Sequence, residues 1–543
     1  MITALPRPAP ATTRTSPFAG TRTLLTVSLR QDIRNIAPWV AIVGALSASS
    51  ILAYRLVFRE PAQRVELAHM LGGNPALSLV FGPAHDLMTA DGFNAWRSGQ
   101  LGALFAAIMA VLVVVRNSRA NEDSGQAELV ASGVVGRQAR LGAAVAMAAV
   151  AAVAVGLCAF ILTVACGCGA VSTLILSLTF SASALMFGGV AAVTAQIGAD
   201  ARTANSLAIA VLGIFYVLRG YIDSSGAPAW VSWLTPLGWL ERTKPAAGNN
   251  PWPLLVAVAL AIALVGVAFA LQARRDFGQG LISPRPGPAE GGAVATVWGL
   301  AFRLNRSSLV SWLVGFAALG AIFGSLASSF GDILAGNPSM AAMFAAEGGA
   351  SKNLTFAFLV TILQIIAIIV AVMGVQIILR VYTEEVELRV ESLLATSLRR
   401  PVYLASNVVV ALIGTAAATL LAGICLGLVA SATSPSVAAS KVFEQSAATI
   451  PAIWTLIALA VAAVGARPSL RALGWVGIIG SFALTILGPT FKLPNWALSI
   501  SPLHHVPNVI DESTNWSGVA WLVGVTALLL AVGFIGFRRR DIV

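Results

Sequence analysis

The chain has 543 residues, of which 57% are hydrophobic and 10% are charged, and its formal net charge is +11. Soluble domains carry about 25% charged residues, so this composition excludes a soluble globular protein and predicts a polytopic membrane protein. A basic balance can indicate nucleic-acid binding, but in a membrane protein it is typical of positive residues collected on the cytoplasmic side. We therefore expect the lipid bilayer as a partner and no nucleic acid.

The N-terminal residues contain no short apolar core followed by a small-residue cleavage site, so no cleaved signal peptide is predicted. An apolar stripe at helical spacing is formed by Leu25, Leu29, Ile33 and Ile36. Arginines form a second stripe beside it. This pattern predicts a helix over 18–35 that lies in the cytoplasmic interface of the membrane.

A membrane-spanning helix needs about 20 apolar residues, and twelve segments meet this requirement. In the first half of the chain they are 36–54, 96–116, 139–165, 170–197, 203–219 and 251–272. In the second half they are 308–330, 354–379, 403–430, 447–465, 473–491 and 516–537. The predicted fold class is all-α, a polytopic membrane protein with about 12 transmembrane helices in two parallel six-helix repeats.

The predicted domains are a first transmembrane half over 1–276, a linker rich in proline and glycine over 277–296, and a second transmembrane half over 297–543. Matching residues fall at the same places in each half: Arg30 and Trp39 with Arg303 and Trp312, Thr235-Pro-Leu237 with Ser501-Pro-Leu503, and Arg274-Arg-Asp276 with Arg539-Arg-Asp541. Lysine and arginine are concentrated on segments that are inside when the N-terminus is inside. We therefore predict a plasma-membrane protein with both termini in the cytoplasm.

A charged element is repeated between the second and third spans of the halves, at 117–138 and 380–402. A shift of 263 positions pairs three charged residues of one copy with three of the other: Glu122 with Glu385, Glu128 with Glu391, and Arg137 with Arg400. In the second copy an apolar stripe predicts a short amphipathic helix, formed by Val386, Val390, Leu393 and Leu394. Glu385 and Arg389 have the spacing of a favourable helical ion pair. The alternative is a solvated loop that only sets topology.

No catalytic or metal site is predicted. The four lysines, Lys244, Lys352, Lys441 and Lys492, do not follow glycine and fall on predicted outer segments, so the chain has no phosphate-binding loop. All acidic residues fall in loops or at span ends. An ion-coupled carrier usually keeps a carboxylate or histidine inside the membrane. Cys166 and Cys168 suit a metal site or a cross-link, but small packing residues explain them better.

The paired acids, the following Glu, the apolar stretch and the Arg, repeated in two six-span halves, resemble the permease subunit of actinobacterial ABC-2-type exporters. The resemblance is to the polyketide-antibiotic (tetronasin-like), multidrug class. It implies an exporter of hydrophobic drugs that works with two copies of a separate ABC ATP-binding subunit, which would hold ATP and Mg, with no cofactor on this chain. The ATPase-coupling residues would be Glu122, Gly125, Glu128, Arg137, Glu385, Arg389, Glu391 and Arg400. Leu388 stands where the first copy has Gly125, which leaves open whether both elements dock equally.

The same resemblance implies a hydrophobic substrate path lined by the second and fifth spans of each half. The candidate path residues are Phe105, Met109, Phe215, Tyr216, Phe358, Gln364 and Phe482. Two other classes stay open from the residues alone. One is an ion-coupled secondary drug carrier, which a buried carboxylate would favour; the other is a membrane-bound enzyme or scaffold, which a cluster of acids and histidines would favour.

Overall fold

The structure is a computed structural model of the chain. It describes residues 16–58, 60–72, 75–125, 135–225, 227–275, 279–282, 292, 296–336, 354–434, 437–487, 494–510 and 515–540. Every regular element in these ranges is helical. The chain divides into two compact units, Met1–Pro286 and Gly287–Val543. The point of division lies inside the segment predicted to be the linker.

The first unit contains six long helices: α1 Thr21–Val57, α2 Ala90–Val115, α3 Ala139–Ala165, α4 Ala170–Ile197, α5 Ala201–Ser224 and α6 Trp252–Arg274. Shorter α-helices are Pro61–Gly72, Pro75–Phe81, Asn121–Asp123 and Pro236–Glu241. A π-helix covers Arg116–Ala120 and a 3₁₀ helix covers Ala229–Leu234.

The second unit repeats this order. Its long helices are α7 Val297–Gly336, α8 Leu354–Val386, α9 Arg400–Thr433, α10 Ala439–Ala466 and α12 Ser517–Arg539, and the ten-residue α11 Leu473–Phe482 takes the fifth place. Shorter α-helices are Arg389–Leu394 and Asn495–Leu498. A π-helix, Ala483–Leu487, follows α11, and 3₁₀ helices cover Pro468–Leu470 and Pro502–His505.

Eleven of the described helices are long and apolar enough to cross a membrane, and each overlaps a predicted span. The remaining predicted span, 473–491, corresponds to α11 and its π-helical continuation, and its last residues lie outside the described ranges. The predicted interfacial helix over 18–35 is not separate from the first span, because α1 continues from Thr21 to Val57. The chain is therefore an all-helical, polytopic membrane protein.

Each half has its own apolar core, and the second and fourth helices are its most buried members. In the first half these are α2 and α4, and in the second half α8 and α10. The fifth and sixth helices of the first half, α5 and α6, bury far less of their surface within that half. Each of these two helices packs against its half with one face, and its remaining apolar surface suits contact with lipid.

Candidate functional site

The first charged element is joined to the end of α6 by a buried ion pair. Glu122, in the short helix after α2, has a side chain that is only 6% exposed. Arg275, which follows α6 directly, donates to both carboxylate oxygens of Glu122 over 2.9 and 2.8 Å. Arg119 donates to the same carboxylate over 2.8 Å, and Arg140 lies 3.6 Å from it. Three guanidinium groups therefore surround one buried carboxylate, and one of them, Arg119, also lies 3.5 Å from the carboxylate of Asp123.

The second charged element repeats this arrangement. Glu385, at the end of α8, has a side chain that is 4% exposed. Nη2 of Arg540, which follows α12 directly, donates to both of its carboxylate oxygens over 2.7 and 2.6 Å. We call the Glu122–Arg275 pair the first clamp and the Glu385–Arg540 pair the second clamp. Each clamp ties the end of a half's second span to the end of its sixth.

The arginines predicted at the far ends of the two elements also occupy equivalent places. Arg137 donates to the backbone carbonyl of Arg275 over 2.9 Å. Arg400 donates to the backbone carbonyl of Arg540 over the same distance. The start of the third span in each half is therefore bonded to the residue that forms the clamp. The repeat seen in the sequence is thus a repeat of side-chain contacts.

Each clamp arginine also reaches the end of its half's fourth span. Nε of Arg275 donates to the side chain of Gln196 near the end of α4, over 2.7 Å. Nε of Arg540 donates to the carbonyl of Gly465 near the end of α10, over 3.1 Å. Sequence reasoning did not assign a role to Arg275 or Arg540. The signal was present, because both belong to the Arg-Arg-Asp match between the halves.

The elements are fastened on their other side to the first span of each half. In the first half, Asn117 donates to the Asp32 carboxylate of α1 over 2.6 Å. In the second half, Arg380 donates to the backbone carbonyl of Leu304 in α7 over 2.8 Å. Any displacement of a charged element must therefore move the ends of several spans with it.

The predicted ion pair between Glu385 and Arg389 is wrong. Glu385 pairs with Arg540, and Arg389 pairs with Glu387 over 2.8 Å. The reason is the backbone of Leu388, which is left-handed at φ 58° and interrupts the helix between the two residues. Helical i,i+4 geometry does not exist across that break. The predicted amphipathic helix begins only at Arg389, so Val386 does not belong to it.

Gly125 and Leu388 share the same backbone conformation, although their side chains differ. Gly125 has φ +74° and Leu388 has φ 58°, and a shift of 263 positions pairs them. The left-handed region costs a residue with a Cβ atom about 1–2 kcal/mol, and glycine escapes that cost. The second element therefore keeps the turn of the first despite carrying a strained leucine.

Substitutions at Gly125 and Leu388 should have opposite effects on the free energy of unfolding. We expect Leu388→Gly to leave the free energy of unfolding unchanged or to raise it by up to about 1 kcal/mol, because strain is removed. Gly125→Ala should lower it by about 1 kcal/mol, because strain is introduced. Thermal unfolding of the purified variants measures both. Ser392→Gly, at an exposed helical position, is the control and should destabilise slightly. If Leu388→Gly destabilises the protein as much as Ser392→Gly does, the backbone of Leu388 is not strained.

The second element presents an exposed surface beyond its clamp. Val386 and Leu388 are 58% and 56% exposed, although both are apolar. Arg389 and Glu391 are exposed beside them. We call residues 386–391, apart from the buried Val390, the exposed turn. Glu128 lies outside the described residues. Large exposed apolar side chains rimmed by charge are typical of protein-binding surfaces.

The candidate path residues lie in several environments. Met109 is fully buried in the core of the first half, and Phe105, Phe215 and Tyr216 pack against that core. Tyr216 donates its hydroxyl to the carbonyl of Val80 over 2.6 Å. In the second half Phe358 packs against the core, Gln364 is partly buried and Phe482 is exposed. Their role in a substrate path remains a prediction.

The cysteines Cys166 and Cys168 flank a turn between α3 and α4. All four cysteines of the chain are free thiols. Burial, together with a hydrogen bond to Asp91, raises the pKa of the Cys168 thiol to about 12. A metal ligand must be a thiolate, so this environment suits a packing residue.

Comparison with known proteins assigns the family. The family model described as "Multidrug efflux system permease Rv1217c, C-terminal domain" matches residues 47–271 and 294–538, one range in each half. The chain is 34% identical over 534 residues to the "Multidrug efflux system permease protein Rv1217c" of Mycobacterium tuberculosis (strain ATCC 25618 / H37Rv), covering 97% of this chain and 96% of that protein. The fold and the paired clamps define a polytopic membrane protein of two helical units. The chain belongs to the multidrug efflux permease family.

Proposed function

We propose that this chain is the membrane subunit of an ATP-driven, ABC-2-type exporter of hydrophobic drugs or antibiotics, in the tetronasin-like class. Two copies of a separate ABC ATP-binding subunit, which hold ATP and Mg, would dock on the two charged elements from the cytoplasm. The chain itself does no covalent chemistry. The observation that carries the proposal is the repeated clamp, which ties the charged element of each half to the end of that half's sixth span.

The clamps explain how motion outside the membrane would reach the spans. A docked subunit that pushes on the exposed turn acts on α8, since the turn follows that helix directly. Glu385 passes the displacement to α12 through Arg540, and Arg380 passes it to α7. Because buried charge-assisted pairs are short and geometrically defined, the linked helix ends would move together. In this proposal the substrate path opens and closes by that movement.

The exposed turn should contribute binding free energy directly. Burying a leucine side chain contributes about 1.5–3 kcal/mol, which is tenfold or more in affinity. Leu388→Gly removes this side chain from the docking surface without removing any clamp contact. We therefore expect the variant to fold at least as stably as the parent and yet to bind the ATP-binding subunit at least tenfold more weakly.

The experiment co-purifies candidate ATP-binding proteins of the source organism, beginning with any encoded beside this chain, and measures drug-stimulated ATP hydrolysis and drug resistance. Arg389→Glu with Glu391→Arg should also reduce binding and hydrolysis, because it reverses the charges of the turn. Lys441→Glu is the matched control, since Lys441 is exposed at the other end of α10. Unchanged binding in both turn variants, Leu388→Gly and the Arg389→Glu, Glu391→Arg double variant, would contradict docking at 386–391. Resistance only to small, strongly charged compounds would contradict the substrate class.

A further inference from the structure

The first helix of each half begins before the apolar run that crosses the membrane. α1 has 37 residues, so at 1.5 Å per residue it is about 55 Å long, whereas the hydrocarbon core of a bilayer is about 30 Å thick. Asp32 of α1 pairs with Arg116, directly after the end of α2, over 3.1 Å. In α7 the carbonyl of Leu304 accepts from Arg380 of the second charged element. The beginnings of α1 and α7 therefore lie at the level of the charged elements, at the clamp end of the spans.

A pair of exposed arginines stands at this level in each of the two helices. Arg30 and Arg34 flank Asp32 in α1. A shift of 273 positions places Arg303 opposite Arg30, and Arg306 follows it in α7. Within the described ranges none of the four forms an ion pair. Like charges three or four positions apart on a helix repel each other, so an anion beside either pair would relieve that repulsion.

The arginines of α7 stand on the face that points away from the core of the second half. The buried face of this helix contains Asn305 and Leu309. Arg303 is on the other side, in line with Val310 and Val314, which follow it by seven and eleven positions and are 59% and 65% exposed. An apolar helix face that its own half leaves open suits contact with acyl chains. Arg303 lies about 10 Å along the helix from Val310, where the headgroups of such lipids would begin.

The same layout occurs in α1. Its buried face contains Asp32 and Ile36. Arg34 is in line with Ala41 and Ala45, which follow it by seven and eleven positions and are both exposed. The arginine pairs of the two halves therefore have equivalent surroundings, with a buried face behind them and an open apolar face of the span beside them.

Large apolar side chains are exposed next to both arginine pairs. Ile33, between Arg30 and Arg34, is 62% exposed. Trp298 and Phe302, which precede Arg306 by eight and four positions, are 46% and 58% exposed. Arginine together with exposed aromatic and aliphatic side chains is typical of helices in the membrane interface, where charge meets the headgroups and the apolar groups meet the acyl chains. A soluble anion would leave these apolar side chains in water.

We propose that the beginnings of α1 and α7 are two equivalent binding sites for anionic phospholipids. The lipids would belong to the leaflet at the clamp end, which is the cytoplasmic leaflet in the predicted orientation. Each arginine pair would donate to a headgroup phosphate, whose geometry the guanidinium fork matches. The net negative charge of the lipid would set its preference over a zwitterionic one. Because Asp32 and Leu304 are bonded to the charged elements, a bound lipid would hold each element at the membrane surface.

The experiment removes lipid from the purified chain in detergent, without any ATP-binding subunit, and adds equal amounts of phosphatidylglycerol and phosphatidylcholine with the same acyl chains. Native mass spectrometry counts the lipids that stay bound, and we expect phosphatidylglycerol to be preferred. A basic residue near an anionic lipid surface contributes about fivefold in affinity. Arg30→Gln with Arg34→Gln, or Arg303→Gln with Arg306→Gln, should therefore weaken phosphatidylglycerol binding at one site by tenfold or more. The combination of all four changes should abolish the preference.

Arg389→Gln is the matched control for lipid binding. It removes another exposed arginine next to the second clamp, but one that pairs with Glu387 over 2.8 Å. This variant should keep the preference of the parent chain for phosphatidylglycerol.

Thermal unfolding supplies a second measurement, with an expected change of sign. In detergent alone the two double variants should unfold at the same temperature as the parent or slightly above it, because repulsion is removed. Added phosphatidylglycerol should raise the unfolding temperature of the parent more than that of either double variant, since a ligand stabilises the state that binds it. Equal binding of the two lipids by the parent, or equal phosphatidylglycerol binding by the parent and the combined variant, would overturn the proposal. Neither measurement involves a drug or ATP hydrolysis, so its outcome is independent of the function proposed above.

Discussion

Glu122→Gln is expected to destabilise the protein more than Glu385→Gln, although the two residues occupy equivalent places. Glu122 compensates Arg119, Arg140 and Arg275, whereas Glu385 pairs with one arginine in the part of the chain that the structure describes. Breaking a buried pair costs about 3–5 kcal/mol because the remaining charge loses its counterpart. Glu385→Gln should approach that cost, and Glu122→Gln should reach or exceed it.

The reverse order is expected when the arginines are removed. Arg275→Gln leaves Glu122 with Arg119 and Arg140, so it should lower the free energy of unfolding less than Arg540→Gln does. Arg540→Gln leaves Glu385 buried without an ion-pair partner among the described residues, so its loss should be larger. Thermal unfolding and drug-stimulated ATP hydrolysis are the measurements. The double variant Glu385→Gln with Arg540→Gln should cost less than the two single losses added together, because the pair is coupled.

Glu387→Ala is the matched control for the clamps. Glu387 and Arg389 also form an ion pair over 2.8 Å, but their side chains are 45% and 65% exposed. Exposed pairs contribute about 0–1 kcal/mol, so the control should unfold nearly as the parent does. If Glu385→Gln is as mild as Glu387→Ala, the second clamp does not hold α8 to α12, and the proposed route of coupling fails.

The second large effect is expected from Arg219→Met. This change leaves the carboxyl groups of Asp223 and Glu241 buried together without their guanidinium partner, and the cost should be about 3 kcal/mol or more. Arg219→Met with Asp223→Asn should recover part of the loss. Lys441→Met, at an exposed ion pair, should have little effect. Thermal unfolding of the purified proteins measures all three.

The stability of the parent chain should depend on pH through the same cluster. Glu241 has a folded-state pKa of about 8, above its ordinary value of 4.5, so the folded chain retains a proton that the unfolded chain releases. This contribution is fully present below pH 4.5 and is lost as the pH rises toward 8, by at most about 1.4 kcal/mol per pH unit. Glu241→Gln should make the unfolding temperature nearly independent of pH across this range.

Arg219→Met should lower the unfolding temperature more at pH 8 than at pH 5, since fewer protons neutralise the carboxyl groups at the higher pH. A loss of stability that is equal at both pH values would contradict the charge cluster.

The sequence by itself determined the class and the repeat. Spans are recognisable because the membrane requires a long apolar run in each, and this is a local property of the chain. The matched Glu and Arg residues of the charged elements were recognisable in the sequence because they stand at the same distances from the apolar runs in both halves. The shift of 263 positions pairs Glu122 with Glu385 and Arg137 with Arg400, and these two pairs make equivalent contacts in their halves.

Only the tertiary structure decided which charges meet. Glu122 and Arg275 are 153 positions apart, and Glu385 and Arg540 are 155 apart, so no periodicity relates them. The nearer candidate, Arg389, was excluded by the left-handed backbone of Leu388, which sequence spacing does not report. The buried charges of the first half depend in the same way on Arg219 and Glu241, which lie on separate elements. Hydropathy specifies that helices span, whereas the partner of a charge depends on which helix ends come together when the spans pack.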